Sequence, residues 1–206
     1  AHCDLARRLD NCYFGGPDER NPYHAAIGDK AVWLPNPIRD VGPAPTGQLR
    51  TPNTPPVCAM IGRNDLVKNY PTTAAGIGLA GGQPALMVRD VTRDLKSFVG
   101  LLSGREPIDL GWHRWDRYTQ LVSDRVDIVM QCSFTESFNY VAAEALLLGK
   151  PVVGSPAIRF LPRDWQANPD DPQSIAKVID RLRTNYAANV LRARKYGARL
   201  LKNNDR

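Results

Sequence analysis

The chain is 206 residues long, 43% apolar and 23% charged, with a formal net charge of +6. That length suits one α/β domain of ordinary size with an appendage and is too short for two large ones. The composition argues against a disordered chain, and no apolar run approaches the ~18 to 20 residues of a membrane-spanning helix.

In chain order, residues 1–34 read as a polar leader with no secretory apolar region, expected to be the tail of a missing N-terminal domain or an extension. Residues 35–56, "PNPIRDVGPAPTGQLRTPNTPP", hold seven of the seventeen prolines and cannot build a regular element, so they read as a linker. From 57 to 206, short apolar runs of β character follow: "VCAMIG" (57–62), "ALMVRD" (85–90), "PIDLGW" (107–112), "VDIVMQC" (126–132) and "PVVGS" (151–155). Between them lie stretches of helical period at 70–80, weakened by Gly76 and Gly78, and at 92–102, 115–123 and 139–148. Two further helices, 172–184 and 186–202, close the chain. Strands of four to seven residues alternating with helices of about ten predict an α/β fold: a single Rossmann-like domain with a parallel sheet, helices on both faces and C-terminal helices. Cys3, Cys12, Cys58 and Cys132 form no C-x-x-C pair or zinc-spaced cluster. Reduced thiols in a cytoplasmic protein are expected, with Cys58 and Cys132 packed as small core residues.

Ligands of such sheets sit beyond the carboxyl ends of the strands. Two loops leave strands there, "GRNDLVKN" (62–69) and "SFTESFN" (133–139). The first supplies Arg63 and Lys68, two cations suited to phosphate oxygens. The second supplies Glu136 ahead of a helix and Glu144 on its second turn; only four of the 21 acidic residues are Glu, the others being Glu19 and Glu106. At 1.5 Å per residue the two carboxylates stand roughly 10 Å apart along the helix axis. Between them the backbone N–H groups of Phe138, Asn139, Tyr140 and Val141 open the helix at the positive end of its dipole, a natural place for phosphate. Ala142, Ala143 and Ala145 would keep the helix surface low enough for a ligand to lie close. The resulting order of hydroxyl, anion and hydroxyl sites is that of a nucleoside diphosphate sugar. Either motif alone is a common surface pattern, since a Glu on a helix usually faces solvent; their joint placement is what points to a site. No clustered carboxylates suggest a metal site, and no cofactor is expected.

On these residues the sequence resembles the retaining glycosyltransferases of family 4, built from two facing Rossmann-like domains. The resemblance runs from about Val32 to about Arg199 and covers only the second, donor-binding half of such an enzyme. "VWLPNPI" is similar to the interdomain crossing, "VCAMIGRNDLVKN" to the strand and diphosphate loop, and "LGWHRWDRYTQLVSDRVDIVMQCSFTESFNYVAAEALLLGKPVVGS" to the Glu-x7-Glu region. The resemblance implies metal-independent transfer from a nucleoside diphosphate sugar. Arg63 and Lys68 would bind the diphosphate, Glu136 the hydroxyls of the transferred sugar, Glu144 the ribose, and residues near Trp112 and His113 would approach the base. It also implies an acceptor-binding N-terminal domain or partner subunit outside this chain, and no transfer by the chain alone. Ser137 and Asn139 stand where the family has glycines, which narrows the room beside the sugar, and the bulky "AIRFLPRDWQ" replaces a glycine-rich turn.

Two rival readings stay open: a non-catalytic nucleotide- or phosphate-binding module, and an adaptor for nucleic acid or an anionic membrane surface. The adaptor reading rests on the basic concentration Arg181, Arg183, Arg192, Arg194, Lys195, Arg199, Lys202 and Arg206. It fits peripheral association with an inner membrane surface better than specific nucleic acid, and a solvated helix face with a basic last turn is the plainer account. Trp112 and Trp115 read as core or interface packing before base stacking. No G-x-S-x-G elbow gives His2, His24 or His113 a triad, and "GIGLAGG" (76–82) reads as a helix end and loop.

Overall fold

Six consecutive buried residues, Val57–Gly62, form the central strand of a five-stranded parallel sheet. Successive side chains of a strand point to opposite faces, so burial of all six means that both faces are covered. The structure is a computed structural model that describes residues 12–14, 31–33, 38–41 and 54–204. The sheet contains β3 (Val57–Gly62), β4 (Gln83–Val88), β5 (Ile108–Asp109), β6 (Ile128–Gln131) and β7 (Val152–Gly154), in spatial order β5-β4-β3-β6-β7. All neighbours pair in parallel, and the Rossmann-like α/β fold expected from the sequence is present. Earlier in the chain β1 (Cys12–Phe14) pairs in parallel with β2 (Ala31–Trp33), so the leader contains β structure that its polar composition does not reveal. The linker reading of 35–56 falls mostly outside the described residues.

Among the described residues six helices alternate with these strands and follow them: α1 (Tyr70–Leu79), α2 (Arg93–Ser103), α3 (Trp115–Arg125), α4 (Tyr140–Leu147), α5 (Pro172–Thr184) and α6 (Tyr186–Asn204). Each expected helix is present, and α2, α4 and α5 begin at side-chain caps from Thr92, Asn139 and Asp171. The two glycines that weaken the α1 pattern have a packing cause. A Cβ on Gly76 would stand 2.6 Å from the Ile175 side chain on α5, and one on Gly78 would stand 2.6 Å from the Ser103 carbonyl oxygen on α2. Gly thus lets α1 pack between two neighbours. "PIDLGW" yields only two strand residues; the Leu110 N–H still donates to Leu86 O before the chain leaves the sheet.

The segment "AIRFLPRDWQ" is a second core layer rather than a loop over a ligand. Ile158, Leu161 and Trp165 are buried, and Asp164 takes a bidentate contact from Arg192 of α6 at 2.6 and 2.7 Å. The Arg192 contact holds the Asp164 carboxyl below its ordinary range. Arg192 also stacks on the Trp165 ring at 5.3 Å, and Arg181 donates to Asp164 O, so part of the basic concentration is structural. Arg194, Lys195, Arg199 and Lys202 remain exposed. Among the described residues no helix is long and apolar enough to cross a membrane.

Candidate functional site

The strand order reverses between β3 and β6: β4 and β5 extend one way from β3, and β7 extends the other way from β6. A parallel sheet opens a crevice for ligands at such a switch point, beyond the carboxyl ends of the two strands. The two loops singled out from the sequence leave those two strands. They are joined there, because the Phe134 N–H donates to Val67 O at 3.0 Å. Asn69 Nδ2 donates to Cys132 O at 3.2 Å and to Pro169 O at 2.7 Å. Asn69 does this from a left-handed backbone, φ 53 and ψ 46, which Asn tolerates better than most residues.

In the first loop Gly62 takes φ +144, a conformation that L side chains rarely adopt. Asp65 then accepts the Lys68 N–H at 3.2 Å and caps the short 3₁₀ turn Leu66–Lys68. The two cations end in different places. Arg63 is 80% exposed at the rim and pairs with Asp65 at 3.3 Å. Lys68 turns inward, and its Nζ lies 2.7 Å from Glu136 Oε1, with the two side chains 17% and 10% exposed. Tyr70 Oη is buried beneath this loop without a hydrogen-bond partner among the described residues; burial, and then the charge of Asp65, push its titration up.

In the second loop Asn139 caps α4 by accepting the Ala142 N–H on Oδ1 at 2.8 Å. Its Nδ2 donates to Glu136 Oε1 and to Gln131 Oε1, both at 2.9 Å, and Gln131 Nε2 donates to Ile61 O at 2.8 Å. Ser137 and Tyr140 are exposed. Phe138 packs edge-on against Tyr140 at 5.0 Å and against Phe160 at 5.2 Å. Ala142, Ala143 and Ala145 are fully buried, because α4 packs on α6. They face the interior and do not form the low ligand surface expected of them.

Glu144 is half-buried, and burial pushes its carboxyl up to about 7, partly offset by the Tyr118 hydroxyl beside it. Tyr118 Oη is buried and lies outside hydrogen-bond geometry with any partner among the described residues. Its own titration is pushed well up by burial and by the Glu144 charge. Trp112 is 55% exposed and so is not a core residue, whereas Trp115 is half-buried under the Arg39 guanidinium at 5.1 Å. His113 is exposed, with Nε2 2.8 Å from Leu110 O. Cys58 and Cys132 are buried thiols, the latter pushed up to about 12 by burial. Among the described residues no group of three or more His, Cys, Asp or Glu could hold a metal ion.

Sequence reasoning missed Asn69, Gln131 and Tyr118. Gln131 left a trace, because one amide in the otherwise apolar run "VDIVMQC" needs a buried partner. The other two left none.

No family model and no curated protein matches the sequence. Solved structures do match. HepE from Anabaena, in complex with UDP and glucose, superposes with a TM-score of 0.77 at 17% identity, covering 98% of this chain and 61% of that one. Sucrose-phosphate synthase from Thermosynechococcus elongatus gives 0.74 at 19%, covering 97% and 56%. The C-terminal domain of a group 1 family glycosyl transferase from Francisella tularensis gives 0.56 at 19%, covering 71% and 84%. The chain therefore has the Rossmann-like fold found in these structures, and it spans about 61% of the length of the HepE chain.

Proposed function

We propose that this chain is the donor-binding half of a retaining, metal-independent glycosyltransferase. Residues 57–206 would hold a nucleoside diphosphate sugar. The observation that supports this most is the convergence of Lys68 and Glu136 at the β3/β6 switch point, in a fold shared with an enzyme solved with UDP and glucose. Glu136 and Lys68 sit where the transferred sugar meets the diphosphate. The Lys68 ammonium has three donors, so it can keep one on Glu136 and turn the others to phosphate oxygens. Arg63 at the rim and the N-terminus of α4 complete the anion site, and together these groups stabilise the charge that builds on the departing nucleoside diphosphate. Glu144 receives the ribose hydroxyls, the exposed Trp112 and His113 lie toward the base, and Ser137, Phe138 and Tyr140 border the sugar.

The acceptor and the second wall of the cleft belong to an N-terminal domain or a partner subunit. The chain alone binds donor, at about 10 µM to 1 mM, but does not transfer the sugar, because orientation of the two reactants supplies much of the rate. The exposed cations of α6 favour peripheral contact with an anionic membrane surface, in a cytoplasmic setting.

Calorimetric titration of the chain with a panel of nucleoside diphosphate sugars, at low and high salt, tests the reading. Saturable binding that weakens modestly with salt is expected. Absence of binding, or affinity for polyanions that collapses steeply with salt, would favour the adaptor instead.

A further inference from the structure

Asn139 is buried, with 3% of its surface exposed, and its amide is fully used. Oδ1 takes the Ala142 N–H, while the two Nδ2 hydrogens go to Gln131 Oε1 and Glu136 Oε1. This fixes the orientation of the amide, because a flip would set oxygen against two oxygens and an N–H against an N–H. As a helix cap alone, Ser, Thr or Asp would serve equally well. Of these residues only Asn can cap the helix and also donate two hydrogens, to Glu136 and Gln131 at once: a Ser or Thr hydroxyl has one hydrogen to give, and Asp would place a second negative oxygen about where Nδ2 now lies, 2.9 Å from Glu136.

Glu136 Oε1 thus holds two donors, Lys68 Nζ at 2.7 Å and Asn139 Nδ2 at 2.9 Å. No group in the described residues engages Oε2. Through Gln131 the same chain of bonds reaches Ile61 O, next to Gly62 at the start of the first loop. Helix cap, carboxylate and first loop are therefore one hydrogen-bonded unit.

We propose that Asn139 is a positioning residue for Glu136: together with Lys68 it saturates Oε1, so that only Oε2 faces the ligand and a single hydroxyl of the transferred sugar is read there, not a vicinal pair. The inference rests on the donor-site reading above. It assigns to Asn139 a definite task at a position where glycine would leave Glu136 less constrained. A ligand hydroxyl donates to Oε2 while Lys68 and Asn139 hold the carboxylate plane, so sugars that differ in the configuration of that one hydroxyl are the ones told apart.

The experiment titrates UDP and UDP-glucose, with the corresponding ADP and GDP pairs, into the 206-residue chain and its variants. Asn139→Asp keeps a capping oxygen and loses both N–H donors; Asn139→Ala, which loses them without adding a charge, is the second variant should the first fold poorly. Either should leave nucleoside diphosphate affinity within about twofold and reduce the added affinity due to the sugar about tenfold. In a Glu136→Gln background the same substitution should add less than about twofold, since the two residues act as a unit. Among deoxy-sugar donors, only one position should erase the difference between wild type and Glu136→Gln. Equal losses for nucleotide and nucleotide sugar, equal effects with and without Glu136, or two hydroxyl positions that respond would each overturn the inference while leaving the donor site standing. A chain that binds none of the ligands removes the donor-site reading and this inference together.

Discussion

Lys68 and Glu136 come from loops 68 residues apart in sequence and meet at 2.7 Å with both side chains largely withdrawn from water. The ion pair ties the carboxyl end of β3 to that of β6. Removing one partner leaves the other charge poorly solvated, at a cost of about 1 to 3 kcal/mol. Lys68→Met should therefore lower stability by about that amount in urea denaturation. Lys68→Met with Glu136→Leu should recover much of it while leaving nucleotide-sugar binding lost, because replacing a whole buried pair by apolar groups is often neutral. A double variant as unstable as the single one would show that the pair does not govern this junction.

Arg63 contributes in another way. Its side chain is 80% exposed, and the carboxylate it pairs with, Asp65, is itself at the surface edge of the loop. Arg63→Ala should leave the melting temperature unchanged and weaken a nucleoside diphosphate by about 1.5 to 3 kcal/mol relative to the nucleoside, the usual worth of a charge-assisted hydrogen bond. Equal weakening of both ligands in calorimetry would remove Arg63 from the anion site.

Glu144 sets a pH dependence. Burial raises its carboxyl from an ordinary 4.5 to about 7, so between those values the folded chain holds a proton that the unfolded chain has released. Its contribution to stability is present below about pH 4.5, falls as pH rises to about 7, and is flat above that. The stability of Glu144→Gln relative to wild type should rise across that window by about 1 to 3 kcal/mol. Binding of a nucleotide sugar, whose diphosphate does not titrate near neutrality, should strengthen from pH 6 to 8 in wild type and not in the variant. Parallel stability curves for the two proteins would contradict this.

Gly78 poses a contest between propensity and packing. Alanine is the better helix former by about 1 kcal/mol, but its Cβ would stand 2.6 Å from a backbone oxygen of Ser103, which cannot rotate away. Overpacking of this kind costs about 1 to 3 kcal/mol, so Gly78→Ala should be destabilised on balance. A raised melting temperature would mean that α1 and α2 can part without loss.

The fold was legible because its signals are local. Apolar runs such as "VCAMIG" and capping residues such as Thr92 and Asp171 fix elements within a few residues of where they form. The loop pair was legible for a similar reason, since strand-exit loops of one parallel sheet share an end. What stayed hidden depends on long-range contact. Gly78 reads as a weak helix position until Ser103 lies against it, and Asn139 reads as an obstacle beside the sugar until its two donors find Gln131 and Glu136. The buried alanines of α4 follow α6, and "AIRFLPRDWQ" follows Arg192, a partner nearly thirty residues on.

The division of labour between the two Glu residues tests the account most directly. Calorimetry of UDP and UDP-glucose with wild type, Glu136→Gln and Glu144→Gln separates the roles. Glu144→Gln should weaken both ligands alike, by about tenfold, whereas Glu136→Gln should leave UDP within about twofold and abolish whatever affinity the sugar adds. If both substitutions leave UDP-glucose binding unchanged, the two carboxylates serve the structure alone and the chain holds no donor there.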